Sequence, residues 1–148
     1  MKIAIGSDHG GYELKKHLML YLDTKKISYT DFGTNSKQAV DYPDFAKKVA
    51  ISVSKNEYDF GIVICGTGIG VSIAANKVKG IRAALVYNET TGRLAKQHNH
   101  ANILALGGRT TSKNKAIQIL EAYIKADFED RHQPRLDKIK TMEEDSYE

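Results

Sequence analysis

Short apolar runs alternate with helix-like amphipathic stretches along the whole chain. Ile3-Ala4-Ile5 forms the centre of a strand over residues 2–6. Leu14, His17, Leu18, Tyr21 and Leu22 then recur at helical spacing, which predicts an amphipathic helix over 12–25. A second strand, 27–32, closes in Gly33-Thr34-Asn35-Ser36. Asp41-Tyr42-Pro43-Asp44 opens a second helix, with the proline in its first turn and Phe45, Val49 and Val53 on its apolar face to about residue 55. A third strand, 60–64, runs into a glycine turn and a short helix ending near Lys77. A fourth strand is predicted over 81–87 and a helix over 89–97, capped by Asn88. A fifth strand covers 102–106. Ser112 caps the next helix, with Ile117, Leu120, Ile124 and Phe128 on one face. Residues 127–133 read as a polar connection, and Pro134 starts a last helix running towards Glu144.

Strands that alternate with helices imply βαβ crossovers, hence a parallel sheet with helices on both faces. The expected fold is a single three-layer α/β/α Rossmann-like domain over residues 1–148, with a five-stranded parallel sheet. Ligands of such sheets sit beyond the carboxyl ends of the strands. The first, third and fifth strands end in glycine-bearing turns that carry Asp8 and His9, Cys65 and Thr67, and Arg109. The topology brings these turns to one sheet edge.

The chain of 148 residues is 41% hydrophobic, enough for one core. It contains no apolar run near the ~20 residues of a membrane span, and its first residues lack a signal-peptide layout. A single cysteine excludes an internal disulfide and fits a reducing compartment, so a cytoplasmic protein is expected. The formal charge is +4. Residues 137–148 hold five acids against two lysines, leaving the rest of the chain at +7. The basic residues are scattered, without a basic block or aromatic stripe, which argues against nucleic acid.

Cys65-Gly66-Thr67-Gly68-Ile69-Gly70 follows the β-branched run of the third strand and precedes a helix. Such a turn aims several N–H groups at one small volume. Its spacing is neither that of a dinucleotide-binding loop nor that of a nucleotide-hydrolase phosphate loop. Cys65 taken alone is as readily an inert buried strand-end residue; its place at a helix N-terminus points to reactivity instead. Asp8 is equally suited to capping a helix. His98 and His100 close a helix, where histidine also complements the dipole. The five histidines lack metal-ligand spacing, so no metal is expected. Arg109, Arg131 and Arg135 are phosphate candidates or plain surface arginines. Pro134 starts a helix between the last two, so they are not assigned to one helical face; His132 lies beside Arg131.

Seven blocks together resemble the ribose-5-phosphate isomerase B family: Ser7-Asp8-His9-Gly10-Gly11, Asp41-Tyr42-Pro43-Asp44, Cys65 to Gly70, Ala74-Ala75-Asn76-Lys77, Gly80-Ile81-Arg82-Ala83, Gln97-His98-Asn99 and Arg131-His132-x-x-Arg135. They follow the family's order and spacing from residue 1 to about residue 140. The resemblance implies interconversion of D-ribose 5-phosphate and D-ribulose 5-phosphate in the non-oxidative pentose phosphate pathway, without metal or organic cofactor. It also implies a homodimer or homotetramer, with the site at a dimer interface and some phosphate arginines supplied across it. By resemblance Cys65 is the catalytic base, His98 opens the furanose ring and Thr67 lies beside that chemistry. Asp8 and His9 contact ligand, Asn99 a sugar hydroxyl, and Arg109, Arg131 and Arg135 the phosphate. Some branches replace the cysteine by a carboxylate on the following helix; Ala74-Ala75 offers none here. The chemistry needs a base that carries a proton between C2 and C1. It also needs donors for an enediolate oxygen, a role suited to the N–H groups of Gly66, Gly68, Ile69 and Gly70. The last helix, about 134–145, is expected to pack on a partner subunit. Two rival readings are a hexose-6-phosphate isomerase of the same family and a non-catalytic phosphosugar or nucleotide binder. The only acid suited to a nucleotide ribose, Asp31, lies inside the second strand.

Overall fold

A computed structural model describes residues 1–147. Five parallel strands, β1 (Lys2–Ser7), β2 (Ser28–Asp31), β3 (Phe60–Cys65), β4 (Ala83–Leu85) and β5 (Ile103–Gly107), lie in the order β2-β1-β3-β5-β4. Six helices accompany them: α1 (Tyr12–Thr24), α2 (Tyr42–Ser54), α3 (Ile69–Ala75), α4 (Glu89–Gln97), α5 (Lys113–Lys125) and α6 (Gln133–Glu144). Strand alternation divides the core. Ile3, Ile5, Ile62, Ile64, Leu104 and Leu106 pack against Leu14, Leu18 and Leu22 of α1 and Ile119, Leu120 and Tyr123 of α5. Ala4, Val63, Ile103, Ala105 and Cys65 face Ala46, Val49 and Val53 of α2 and Val71 and Ala75 of α3. These are the three layers expected of an α/β/α domain, and no described helix is long and apolar enough to cross a membrane.

The register places the ends of β1, β3 and β5 side by side, with Ser7 opposite Ile64 and Cys65 opposite Gly107. The Asn88 cap forms as a reciprocal capping box with Thr91, and Ser112 accepts from the N–H of Lys115. Pro134 lies in the first turn of α6.

Several boundaries differ from the sequence reading. β4 has three residues rather than seven, because it is an edge strand whose flanks are held by side-chain amides. Asn76 bonds both the N–H and the carbonyl of Ala83, and Asn102 accepts from the N–H of Arg82. β2, the other edge strand, is also short. α3 stops at Ala75, short of Lys77. α5 ends at Lys125, leaving Phe128 outside it. Its buried face is Ala116, Ile119, Leu120 and Tyr123, so the face drawn through Ile117, Ile124 and Phe128 is rotated. The reason is that Tyr123, amphipathic on paper, is buried against Phe60 with its hydroxyl donating to the carbonyl of Ala101. Phe128 stacks on His100 instead. The polar connection 127–133 contains a 3₁₀ turn, Asp130–His132, with His132 buried.

Candidate active site

The carboxyl edge of the sheet is stitched together by backbone. Asp8 donates its N–H to the carbonyl of Ile64, Gly108 to Cys65 and Arg109 to Gly66. The side chain of Asp8, buried, caps a 3₁₀ turn by accepting from the N–H of Gly11 at 3.1 Å. A Cβ on Gly108 would meet the carbonyl oxygen of Gly10 at 2.5 Å, so the first and third of these turns touch only because glycine stands there.

Cys65 closes β3 and is 5% exposed. Its Sγ accepts from the N–H of Gly68 at 3.2 Å. Gly68 itself has φ +81°, a left-handed conformation that turns the chain from strand to helix. The N–H of Ile69 is taken by Thr67 Oγ1 at 3.2 Å. Two of the turn's donors are thus already engaged. Those of Gly66, Thr67 and Gly70 have no partner among the described residues. Arg109 lies against Gly66, its Nη1 3.2 Å from the point a Cβ would occupy. His9 is at the same edge, its Nδ1 accepting from the N–H of Val40 at 3.2 Å. Asp8, His9, Cys65, Thr67 and Arg109 therefore share one edge.

Tyr42 belongs with them and carried no role in the sequence reading. Its ring lies over Gly70, at 2.6 Å from the position of a Cβ. The sequence signals were its place at the head of a helix and inside the Asp41-Tyr42-Pro43-Asp44 block, neither of which gave it a role.

His98, Asn99, Arg131 and Arg135 are elsewhere. α4 runs antiparallel to the strands, so His98, its C-cap, lies at the opposite edge of the sheet, near the start of β5. β3 alone spans about 16 Å at ~3.3 Å per residue. One chain therefore does not bring these residues to Cys65.

They form a second cluster of their own. The rings of His98 and His132 lie 4.4 Å apart. Glu129 sits 4.0 Å from His98 Nε2 and accepts from Arg131 Nε at 3.0 Å. Arg135 Nη1 lies 2.6 Å from His132 Nδ1. Asn99, next in sequence to His98, is exposed and lines a cavity with Asn76, Leu85 and Ile139. Burial, with Arg131, His98 and Arg135 close by, pushes the His132 imidazolium down and keeps the ring neutral. The hydrogen bond from Arg131 holds Glu129 below the usual carboxylate range.

Donor atoms of His98, Glu129 and His132 all lie within 4.8 Å of one another, a grouping that sequence spacing did not reveal. The donor set does not suit a metal. A guanidinium only donates, so Arg135 requires the lone pair of His132 at Nδ1 and leaves the proton on Nε2. A metal needs a lone pair there. Nε2–H is buried and has no hydrogen-bond partner among the described residues, and with Arg131 and Arg135 close by the donor set suits an anion rather than a cation.

The profile of the ribose/galactose isomerase family matches residues 3–139. A relative from Mycoplasma genitalium, named probable ribose-5-phosphate isomerase B, is 50% identical over 147 residues, covering 97% of each chain. The ribose-5-phosphate isomerase B structure from Clostridium thermocellum superimposes with a TM-score of 0.95 at 51% identity, covering 97% of this chain and 98% of that one. The Mycoplasma genitalium enzyme, solved with bound ribulose 5-phosphate, gives 0.93 at 48% identity, covering 98% and 97%. On its sequence, its parallel sheet and its full-length match, this chain belongs to the ribose/galactose isomerase family.

Proposed function

We propose that this chain interconverts D-ribose 5-phosphate and D-ribulose 5-phosphate through an enediolate, as a dimer whose sites each combine the Cys65 edge of one copy with the His98 cluster of the other. The observation that carries this reading is the division of one chemistry between opposite sheet edges. The Cys65 edge offers a base and free backbone donors. The other edge offers a proton donor and an anion site. Neither half suffices alone.

The face beside Cys65 is suited to a partner. Ile69 is 52% exposed and Ile73 56%, and Tyr42 and Leu85 are also exposed near the turn. Helix α6 joins the interface: it buries only Leu136 and leaves Ile139 and Met142 exposed.

In the reaction, phosphate is gripped by Arg131, Arg135 and His132 Nε2–H, with Arg109 approaching from the other copy. His98 protonates the ring oxygen and opens the furanose. Cys65 Sγ takes the proton from C2, and the electron pair of that bond moves towards C1–O1. Negative charge on the enediolate oxygens meets the N–H groups of Gly66, Thr67 and Gly70. Losing one such donor costs about 3 kcal/mol of barrier. Cys65 returns its proton to C1, while the O2 hydroxyl proton ends on O1. Thr67 flanks the ring-opening step, and Asp8, His9 and Asn99 hold hydroxyls. Only protons move, so side chains supply all the chemistry. The need for a free thiol fits a reducing cytoplasm.

The test is a coupled assay of the purified chain on ribose 5-phosphate and allose 6-phosphate. Turnover of the pentose is expected; turnover of the hexose alone would replace this reading with the hexose one. Mixing inactive C65A and H98N homodimers tests the shared site. Random exchange should recover about a quarter of wild-type activity, since half the dimers then carry one intact site. No recovery would place the whole site in one chain.

A further inference from the structure

The loop between β2 and α2, residues 32–41, holds a contact that the reaction scheme leaves unused. The backbone N–H of Val40 points at His9 Nδ1. A backbone N–H can only donate, so Nδ1 is the acceptor nitrogen of this ring. In neutral imidazole the proton then sits on Nε2. No side chain or backbone group among the described residues occupies that Nε2.

The base of the loop is fastened with unusual care. Lys15 of α1 is fully buried. Its Nζ donates to Asp31 Oδ1 and, at 2.7 Å, to the carbonyl of Thr34. Asp31 Oδ1 also accepts the N–H of Gly33 at 2.8 Å. Gly33 and Thr34 are in turn hydrogen-bonded to Ser7, both at 2.6 Å, two residues before His9. A buried ammonium is costly unless it is paired and hydrogen-bonded, so this lysine is committed to its partners. Asp31 and Thr34 stand at the start of the loop that carries Val40, and Ser7 ties that start to the strand end that leads into His9.

We propose that the β2–α2 loop is a positioning device for His9: Val40 holds the ring as the Nε2–H tautomer, and buried Lys15, paired with the more exposed Asp31, holds the loop in place to do so. His9 then presents an N–H, never a lone pair, to the sugar. That selects a substrate oxygen acting as acceptor. Val40, Lys15 and Asp31 are positioning residues, acting through His9. The catalytic consequence rests on the isomerase reading; the tautomer does not.

The experiment is a long-range ¹H–¹⁵N correlation spectrum of the uniformly ¹⁵N-labelled full chain without ligand, with His9 assigned by its absence in H9Q. Wild-type neutral His9 should show a protonated Nε2 and a bare Nδ1. V40P deletes the one N–H and should shift the tautomer population towards Nδ1–H. V40A keeps the N–H and should keep the wild-type pattern. K15M should shift the population in the same direction as V40P. Where pentose turnover is measured, V40P and K15M should lower kcat by about tenfold to a hundredfold, the scale of a misplaced reactive group, with V40A near wild type. A wild-type His9 carrying its proton on Nδ1 overturns the proposal, as does a V40P or K15M spectrum like that of wild type. If either variant fails to fold, the wild-type tautomer together with the remaining variant decides. Absence of turnover in the wild type would sink the isomerase reading and leave the tautomer result standing.

Discussion

The two edges of this sheet build sites from different materials. At the carboxyl edge the working groups are backbone N–H donors around one thiol, set by a positive-φ glycine and by turns that touch through glycine. At the opposite edge they are side chains: two histidines in contact, a glutamate and two arginines carried by a 3₁₀ turn and a helix start. Backbone donors cannot rotate away and cost no reorganisation when charge develops, which suits an oxyanion. Paired guanidinium groups reach outward and carry full charge, which suits a phosphate. Beyond the thiol itself, the backbone of the first edge should therefore be broken by adding an atom, the second edge by removing one.

The largest effect is expected at the thiol. C65A should lower kcat by about 10²- to 10⁴-fold, the range of a general base, while calorimetry still detects phosphosugar binding. Surviving turnover would move the base elsewhere and end the division of labour between the edges. G68A adds one methyl to the backbone-built edge, where it would meet the Leu106 carbonyl carbon at 2.9 Å and force alanine into a left-handed conformation. The conformational term alone is about 1–2 kcal/mol. A thermal melt should show Tm lower by about 3–8 °C, together with lost activity. An unchanged Tm would mean the turn adapts. At the side-chain edge, R135A should raise KM by about tenfold while leaving kcat close to wild type and the fold intact. An unchanged KM would remove Arg135 from the phosphate grip.

The smallest effect concerns pH. Burial and cationic neighbours lower the pKa of His132, and burial with Arg82 and Lys96 lowers that of His100. The unfolded chain then binds protons that the folded one refuses, so stability should fall as pH drops through the unfolded value of ~6.5. The loss should level off below the folded values. Melting curves from pH 7.5 to 5 should show this slope, and H132Q should flatten part of it. Inorganic phosphate, which favours the imidazolium, should oppose it. A flat profile would show that His132 is more solvated than its burial implies.

Much of the architecture was legible because it is local. The alternation of apolar runs and amphipathic stretches gave five strands and six helices, and Asn88 and Ser112 cap as their positions suggest. Errors fell where a partner distant in sequence decided the outcome. Tyr123 displaced Phe128 from the buried face of α5 because its hydroxyl finds a carbonyl 22 residues away. Lys15, one of the scattered basic residues of the sequence, is fully buried because β2 and its loop supply oxygens. Asp31, weighed as a ribose ligand, is bound to that lysine.

By itself the sequence determined the parallel α/β fold, the glycine turn after Cys65 and the family blocks, all properties of contiguous residues. Only the tertiary structure decided that Cys65 and His98 stand at opposite edges of the sheet, that His132 joins His98 across 34 positions, and that Tyr42 covers Gly70. The reason is geometric. Periodicity reports which side of an element is buried, whereas the end of a sheet a residue reaches depends on the direction of every crossover before it. One antiparallel helix, α4, carries His98 away from Cys65 to the other edge of the sheet, and this separation is what the proposed dimer would bridge.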